Sequence, residues 1–150
     1  MREALIRPHA ISHNVGVLKS MAKTPHMMIV VKAGGYGHGA LTASHAALDG
    51  GATWLATADI DEALELRQAG ITAPVLAWLF GPQENLAPAV ENAIDLGVSS
   101  LAQLEQVQAA SSQARPARIH VKIDTGLGRN GVAPKDWDAL FQAIATHQAA

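Results

Sequence analysis

Met27-Met28-Ile29-Val30-Val31, followed directly by Lys32-Ala33-Gly34-Gly35-Tyr36-Gly37-His38-Gly39, joins the most apolar run of the chain to a glycine-rich loop. Five apolar residues in a row, with β-branched Ile29, Val30 and Val31, are too few for a helix and read as a short strand. The run is continuous rather than alternating, the pattern of a strand buried on both faces in a parallel sheet. Similar runs recur outward from it at Thr53–Thr57, Pro74–Leu79, Ala93–Val98 and Ile119–Ile123. The spacing of roughly 20 to 25 residues leaves room for one helix in each gap, which is the signature of βαβ units.

The gaps carry helix signals. Asp59 with Glu62 fits a capping box, and Ala63, Leu64 and Leu66 continue as an apolar stripe up to Gly70, a C′ glycine. Ser100 with Gln103 repeats the box ahead of Leu104 and Val107. Pro134 stands where a first helical turn would open, before Trp137, Leu140, Phe141 and Ile144. His9 to Met21 reads as an amphipathic helix ahead of the first strand. Five parallel strands alternating with helices fit either a doubly wound sheet or a barrel. No G-x-G-x-x-G follows the first strand, so the dinucleotide version is weak. An eight-stranded barrel typically takes about 250 residues, so five βα units are the expectation of a partial (β/α)8 TIM-type barrel.

Composition narrows the function classes. The 150 residues are 49% apolar and 16% charged, as in an ordinary soluble α/β domain, and the net charge is −2 with His neutral. That charge gives no footprint for nucleic acid or for an anionic membrane. No apolar stretch is long enough to span a bilayer, and Met1-Arg2-Glu3-Ala4 opens no secretory signal. The absence of cysteine excludes disulfides, thiolate metal sites and Cys nucleophiles. A cytoplasmic protein is the expectation.

Two segments hold the chemistry. Lys32 ends the first strand, and in parallel α/β folds the C-terminal strand ends form the active face. Desolvation at such a position favours an uncharged amine, the form that adds to a carbonyl as a Schiff base. The glycines after it allow close approach of backbone to a ligand. The plainer reading has Lys32 reach solvent and the glycines make only a turn. The second segment runs from His120 through Lys122, Asp124 and Gly126 to Arg129 and Gly131. By the strand period of two, Lys122 and Asp124 share a face, and Arg129 on the loop beyond is free to bind a carboxylate or phosphate bidentately. The plainer reading here is an Asp-Thr-Gly turn before the next helix.

Together the two segments bring in a family. Lys32-Ala-x-x-Tyr36-Gly-His-Gly resembles the pyridoxal-phosphate (PLP) lysine signature of alanine racemases. Lys122-Ile-Asp-Thr-Gly-Leu-Gly-Arg129-x-Gly131 resembles their second conserved segment. Thr57–Ala63 with Arg67–Gly70, Val75–Trp78 and Val98–Glu105 are similar to the family's second, third and fourth units, so the resemblance covers nearly the whole chain. It implies an isomerase of D-alanine biosynthesis for the cell wall. In that picture residues 1–150 are the N-terminal portion of a PLP-binding barrel domain, the C-terminal β-domain is absent, and the working form is a dimer or other homo-oligomer. It implies that Lys32 carries PLP as a Schiff base and acts as one of two opposed bases. Tyr36 stands near the cofactor phosphate, and Arg129 beside the PLP phenolic oxygen and the substrate carboxylate. Lys122 matches a lysine often carbamylated in the family, where the carbamate holds the arginine. The second base, a tyrosine of the partner's C-terminal domain, has no match here, because Tyr36 is the only tyrosine.

The family usually has Asn or Asp, then Ala, where this chain has Gly34 and Gly35, and the two added glycines are expected to loosen the loop. Leu127 replaces a usual Met at similar volume. Two further readings remain open: a non-catalytic PLP-binding barrel protein, from which the Tyr36-Gly37-His38-Gly39 stretch speaks away, and an inactive barrel remnant. His38 has no second ligand at metal spacing on its element, so no metal site is expected. Asp59, Asp61 and Glu62 read as capping and solvated helix residues. Trp54, Trp78 and Trp137 are assigned to core packing, and His9, His13, His45 and His147 to helix surfaces.

Overall fold

The structure, a computed structural model, describes residues 2–148, with side-chain surroundings up to residue 146. Its elements are α1 (Pro8–Met21), β1 (Met28–Val30), α2 (Lys32–Tyr36), α3 (Ala40–Asp49), β2 (Trp54–Thr57), α4 (Ile60–Gln68) and β3 (Val75–Ala77). They continue as α5 (Ala87–Glu91), β4 (Ile94–Val98), α6 (Leu101–Ala110), β5 (Ile119–Val121), a 3₁₀ turn (Pro134–Asp136) and α7 (Trp137–Gln148). All strand pairs are parallel, and the sheet order is β1-β2-β3-β4-β5. Each strand lies beside its predecessor with no reversal. That is the singly wound order of a barrel wall, whereas a doubly wound sheet reverses at a switch point. The expected arc of five βα units is therefore present.

Burial follows position in the arc. β3 and β4 are buried along their whole length, whereas β1 and β5, each with one neighbour, are half-buried. Leu55, Val75, Ala77, Ile94, Leu96 and Val98 point to one face and pack with Ala47, Ala63, Leu66, Leu104, Val107 and Leu140. Full burial of a side chain such as Leu66 or Leu96 contributes about 1.5–3 kcal/mol. The alternate residues of β2 to β5 face the inner side of the arc.

The helix ends are built as the sequence anticipates, with one change. Asp59 Oδ1 accepts from the Glu62 amide at 3.0 Å, and Ser100 Oγ from the Gln103 amide at 3.2 Å. The returning side chains reach one residue further back than a capping box requires: Glu62 Oε2 accepts from Ala58 N–H at 2.9 Å, and Gln103 Oε1 from Ser99 N–H at 2.8 Å. At the end of α4 the Ile71 amide donates to Leu66 and that of Gly70 to Arg67, with Gly70 at φ +88°, a Schellman closure. His9 and His13 on α1 and His45 on α3 are exposed, while the His147 side chain lies outside the described residues.

Two readings need correction. The β4 run, read as uniformly apolar, contains a buried carboxylate on the inner face. Asp95, 1% exposed, accepts from Arg118 Nε at 2.7 Å and from Trp54 Nε1 at 3.2 Å, and lies 2.9 Å from His120 Nε2. Trp54 is accordingly not plain core. It stacks edge-on with His26 and His120, and the Arg118 guanidinium lies 5.0 Å from its ring centroid. Regular α3 starts at Ala40, after the glycine-rich loop, and α2 is a single turn of another kind.

Candidate active site

α2 winds the wrong way for L-residues. Ala33, Gly34, Gly35 and Tyr36 have φ of +52°, +62°, +66° and +54°. A left-handed turn costs roughly 1–2 kcal/mol per non-glycine residue, because Cβ crowds the following carbonyl. The turn is closed by amide bonds from Gly35 to Val31, Gly37 to Ala33 and Gly39 to Gly34. His38 Nδ1 lies 2.9 Å from the Gly35 carbonyl and 3.1 Å from that of Tyr36; both are acceptors, so this nitrogen carries the hydrogen. The two glycines expected to loosen the loop instead occupy positions where a side chain is strained. Gly35 is buried, and a Cβ on it would lie 2.9 Å from Ala43 Cβ, whereas one on Gly34 would meet nothing within 4 Å. The turn begins at Lys32, which is half-buried, directly after the buried Val31.

The segment after β5 is built differently. Lys122, just past the strand, lays its chain across β4 and donates from Nζ to the Trp78 carbonyl at 3.2 Å. Gly97 makes the crossing available: a Cβ there would sit 2.8 Å from Trp78 Cα and 3.2 Å from Lys122 Cδ. Burial, and then the positive charge of Arg129, hold the Lys122 amine below the usual lysine range. Asp124 does not share a strand face with Lys122, because β5 ends at Val121. Its Oδ1 turns back to accept from the amides of Gly126 at 2.9 Å and Gly128 at 3.1 Å. These backbone donors hold its carboxyl below the usual Asp range. The turn reading was thus half right: an Asp-centred turn is present, and it shapes the loop that carries Arg129.

Lys32, Lys122 and Arg129 line one cavity of about 530 Å³ together with Ala58, Trp78, Leu79, Leu127 and Asn130. It opens at the C-terminal ends of the strands, and its size is that of a small-molecule pocket. Trp78, assigned to the core from sequence, belongs to this wall. Arg129 and Asn130 also border a second cavity of about 460 Å³ at the start of α6, where Ser99 Oγ donates to Asn130 Oδ1 at 2.7 Å. Tyr36 is exposed and lies outside the first cavity, but its ring centroid is 5.4 Å from Lys32 Nζ. Among the described residues no carboxylate lies within ion-pair distance of the three cations. Three cations, an indole and two leucines around one cavity fit a flat, anionic aromatic molecule that carries a carbonyl, and pyridoxal phosphate is of that kind.

Lys32, Lys122 and Arg129 are therefore brought together on one cavity, with Tyr36 beside Lys32. The Trp78 carbonyl, the Gly97 slot and the reach of Glu62 were missed. A glycine inside an apolar strand was the available signal for Gly97, since such glycines mark close approach of another group.

A family model described as alanine racemase, N-terminal domain, matches residues 6–150. The alanine racemase of Thermobifida fusca is 53% identical over 149 residues, which is 99% of this chain and 40% of that protein. The alanine racemase of Salinispora tropica is 54% identical over 141 residues, 93% of this chain and 38% of its own length. Among solved structures, alanine racemase from D-cycloserine-producing Streptomyces lavendulae superposes with a TM-score of 0.90 at 43% identity, covering 98% of this chain and 40% of that one. Alanine racemase from Bacillus anthracis with bound L-Ala-P superposes with a TM-score of 0.80 at 32% identity, covering 92% of this chain and 36% of that one. The chain thus spans about 40% of the length of the first of these relatives. A match across residues 6–150, identities above 50% and superposition of nearly every residue agree: the chain belongs to the alanine racemase family, as its N-terminal domain.

Proposed function

We propose that this chain provides the cofactor-binding wall of an alanine racemase, interconverting L- and D-alanine with pyridoxal phosphate held at Lys32. The observation that carries this reading is the convergence of Lys32, Lys122 and Arg129 on one cavity with no carboxylate among the described residues to neutralise them. When bound, pyridoxal phosphate supplies an electron sink that makes the α-proton of an amino acid acidic.

In this reading Lys32 would hold the cofactor at its aldehyde, and its free amine would take or return the α-proton on its own side. Tyr36, beside Lys32, would hold the phosphate. Arg129 would pair with the phenolic oxygen and with the alanine carboxylate, which would fix the substrate before proton transfer. Lys122 stands behind Arg129. Its lowered pKa leaves more of the uncharged amine that carbon dioxide requires, and a carbamate there turns a repelling pair into an attracting one.

Racemisation needs a second base on the opposite side of the α-carbon. The resemblance to alanine racemases implies that this base is a tyrosine of a C-terminal domain contributed by a partner subunit in a homo-oligomer. In the same reading residues 1–150 form the N-terminal portion of the barrel domain, and the open edges of β1 and β5 are where its remaining strands attach. No helix among the described residues is long and apolar enough to cross a membrane. We place the enzyme in the cytoplasm, supplying D-alanine for the cell wall.

The test is to mix the purified protein with pyridoxal phosphate, reduce with borohydride and locate the label by peptide mass. Label concentrated on Lys32 and lost in Lys32→Ala is the expected result. Label spread evenly over Lys19, Lys23 and Lys135 overturns the reading and leaves a barrel without a cofactor site.

A further inference from the structure

Glu62 stands in the first turn of α4, where its sequence role was to cap that helix. Its Oε2 does so, accepting from Ala58 N–H at the end of β2. Its Oε1 does something a helix cap does not require: it accepts from the backbone N–H of Ala33, 29 residues away, in the peptide that joins Lys32 to the left-handed turn. The Ala33 amide sits at the opening of the turn, ahead of Gly35, whose amide closes onto Val31. One carboxylate thus caps a right-handed helix and a left-handed turn at once.

The energetics give the second bond its purpose. Ala33 at φ +52° is held in a conformation that an L-residue leaves unless its surroundings over-determine it. A hydrogen bond to a carboxylate is about twice as strong as one between neutral groups. The bond fixes the Lys32–Ala33 peptide plane, and with it the direction in which the Lys32 side chain leaves the backbone. α6 provides an internal control. Gln103 occupies the equivalent position, and its single carbonyl oxygen accepts only from Ser99 N–H, the counterpart of Ala58 N–H. An amide side chain therefore suffices for the helix cap, and a second acceptor oxygen is needed only for the bond to Ala33.

We infer that Glu62 is a positioning residue for the cofactor lysine, acting through the Ala33 amide to hold the left-handed turn and aim Lys32 into its cavity. This rests on Lys32 being the amine that binds pyridoxal phosphate.

Glu62→Gln separates the two bonds, because it leaves one carbonyl oxygen, as in Gln103. Three quantities are compared between wild type and variant: amide exchange at Ala33 and Ala58, the denaturation midpoint, and the rate of borohydride-trapped pyridoxal phosphate labelling at Lys32 relative to Lys19. The expected result is loss of protection at Ala33 with Ala58 still protected. The midpoint stays near wild type, and Lys32 labelling slows about tenfold, the factor corresponding to about 1.4 kcal/mol. A helix-capping role alone would leave both the midpoint and the relative labelling unchanged, because a glutamine keeps the bond to Ala58 N–H, as Gln103 does to Ser99 N–H. Equal Lys32 labelling in the two proteins overturns the inference. Wild-type protein that labels Lys19 as fast as Lys32 fails the cofactor reading instead, and the Ala33 exchange then still reports on the clamp by itself. If Glu62→Gln does not fold, Glu62→Asp, which draws both oxygens back by one methylene, is read by Lys32 labelling relative to Lys19 alone: slowed Lys32 labelling supports the inference and unchanged labelling overturns it.

Discussion

The two ends of the barrel arc both gather basic side chains, and they handle them in opposite ways. At the N-terminal ends of the strands, Arg118 and His120 meet the buried Asp95, with Trp54 donating to the same carboxylate. Arg67 gives its guanidinium to the carbonyls of Ile71, Ala73, Asn92 and Ala93. Arg67, Arg118 and Asp95 there each have a partner within the chain. At the C-terminal ends, Lys32, Lys122 and Arg129 face a cavity with no such partner among the described residues. Self-satisfied charge marks an end that holds the strands together, and unsatisfied charge of one sign marks an end built for a ligand. The scaffolding differs accordingly: the lower end relies on ion pairs, and the upper end on backbone conformation.

The contrast is broken most forcefully at Asp95. Removing the carboxylate in Asp95→Ala leaves His120 and Trp54 without their acceptor and unpairs Arg118, at an expected cost of about 3 kcal/mol. Lys122→Met at the other end is expected to change stability by less than about 0.5 kcal/mol, since no internal partner is lost except the Trp78 carbonyl. Urea denaturation of both variants checks this, and equal effects would remove the distinction between the ends.

A methyl group tests the upper scaffold. Gly35→Ala adds a Cβ at φ +66° that presses on Ala43, at an expected cost of about 2 kcal/mol. Gly34→Asn, in open space and with a residue that tolerates this conformation, is expected to cost less than about 1 kcal/mol. The same denaturation experiment ranks them, and the reverse order would mean that the turn is not packed against α3 as observed.

The smallest effect is electrostatic. Lys122 is held below its ordinary value of 10.5 by burial and then by Arg129. Between the lowered value and 10.5 the unfolded chain binds more protons at this site than the folded one, so Lys122 makes stability rise with pH across that window. Lys122 is half-exposed and solvent screens it, so the rise is slight. The difference between wild type and Lys122→Met, followed by denaturation from neutral to alkaline pH, isolates it; a difference that falls with pH would contradict the unpaired state of the cation.

The order of amino acids alone specifies the repeating unit, the parallel sheet and the two chemical segments. Apolar run length, capping residues and strand-end loops are local properties, written in consecutive residues such as Met27–Val31 and Asp59–Glu62. It also determined that Lys32, Lys122 and Arg129 come together, since residues just past parallel strands share one end of the sheet. Which partners those residues find depends on the packed fold. The left-handed turn depends on Ala43 of α3 and on Glu62 of α4, the lysine crossing depends on a glycine in β4, and the buried Asp95 depends on residues from two other strands. Those partners lie between 8 and 41 residues away in sequence. A hydrogen bond or a close approach across such distances leaves no period or spacing to read, because it is fixed by how the strands pack and not by how neighbouring residues alternate.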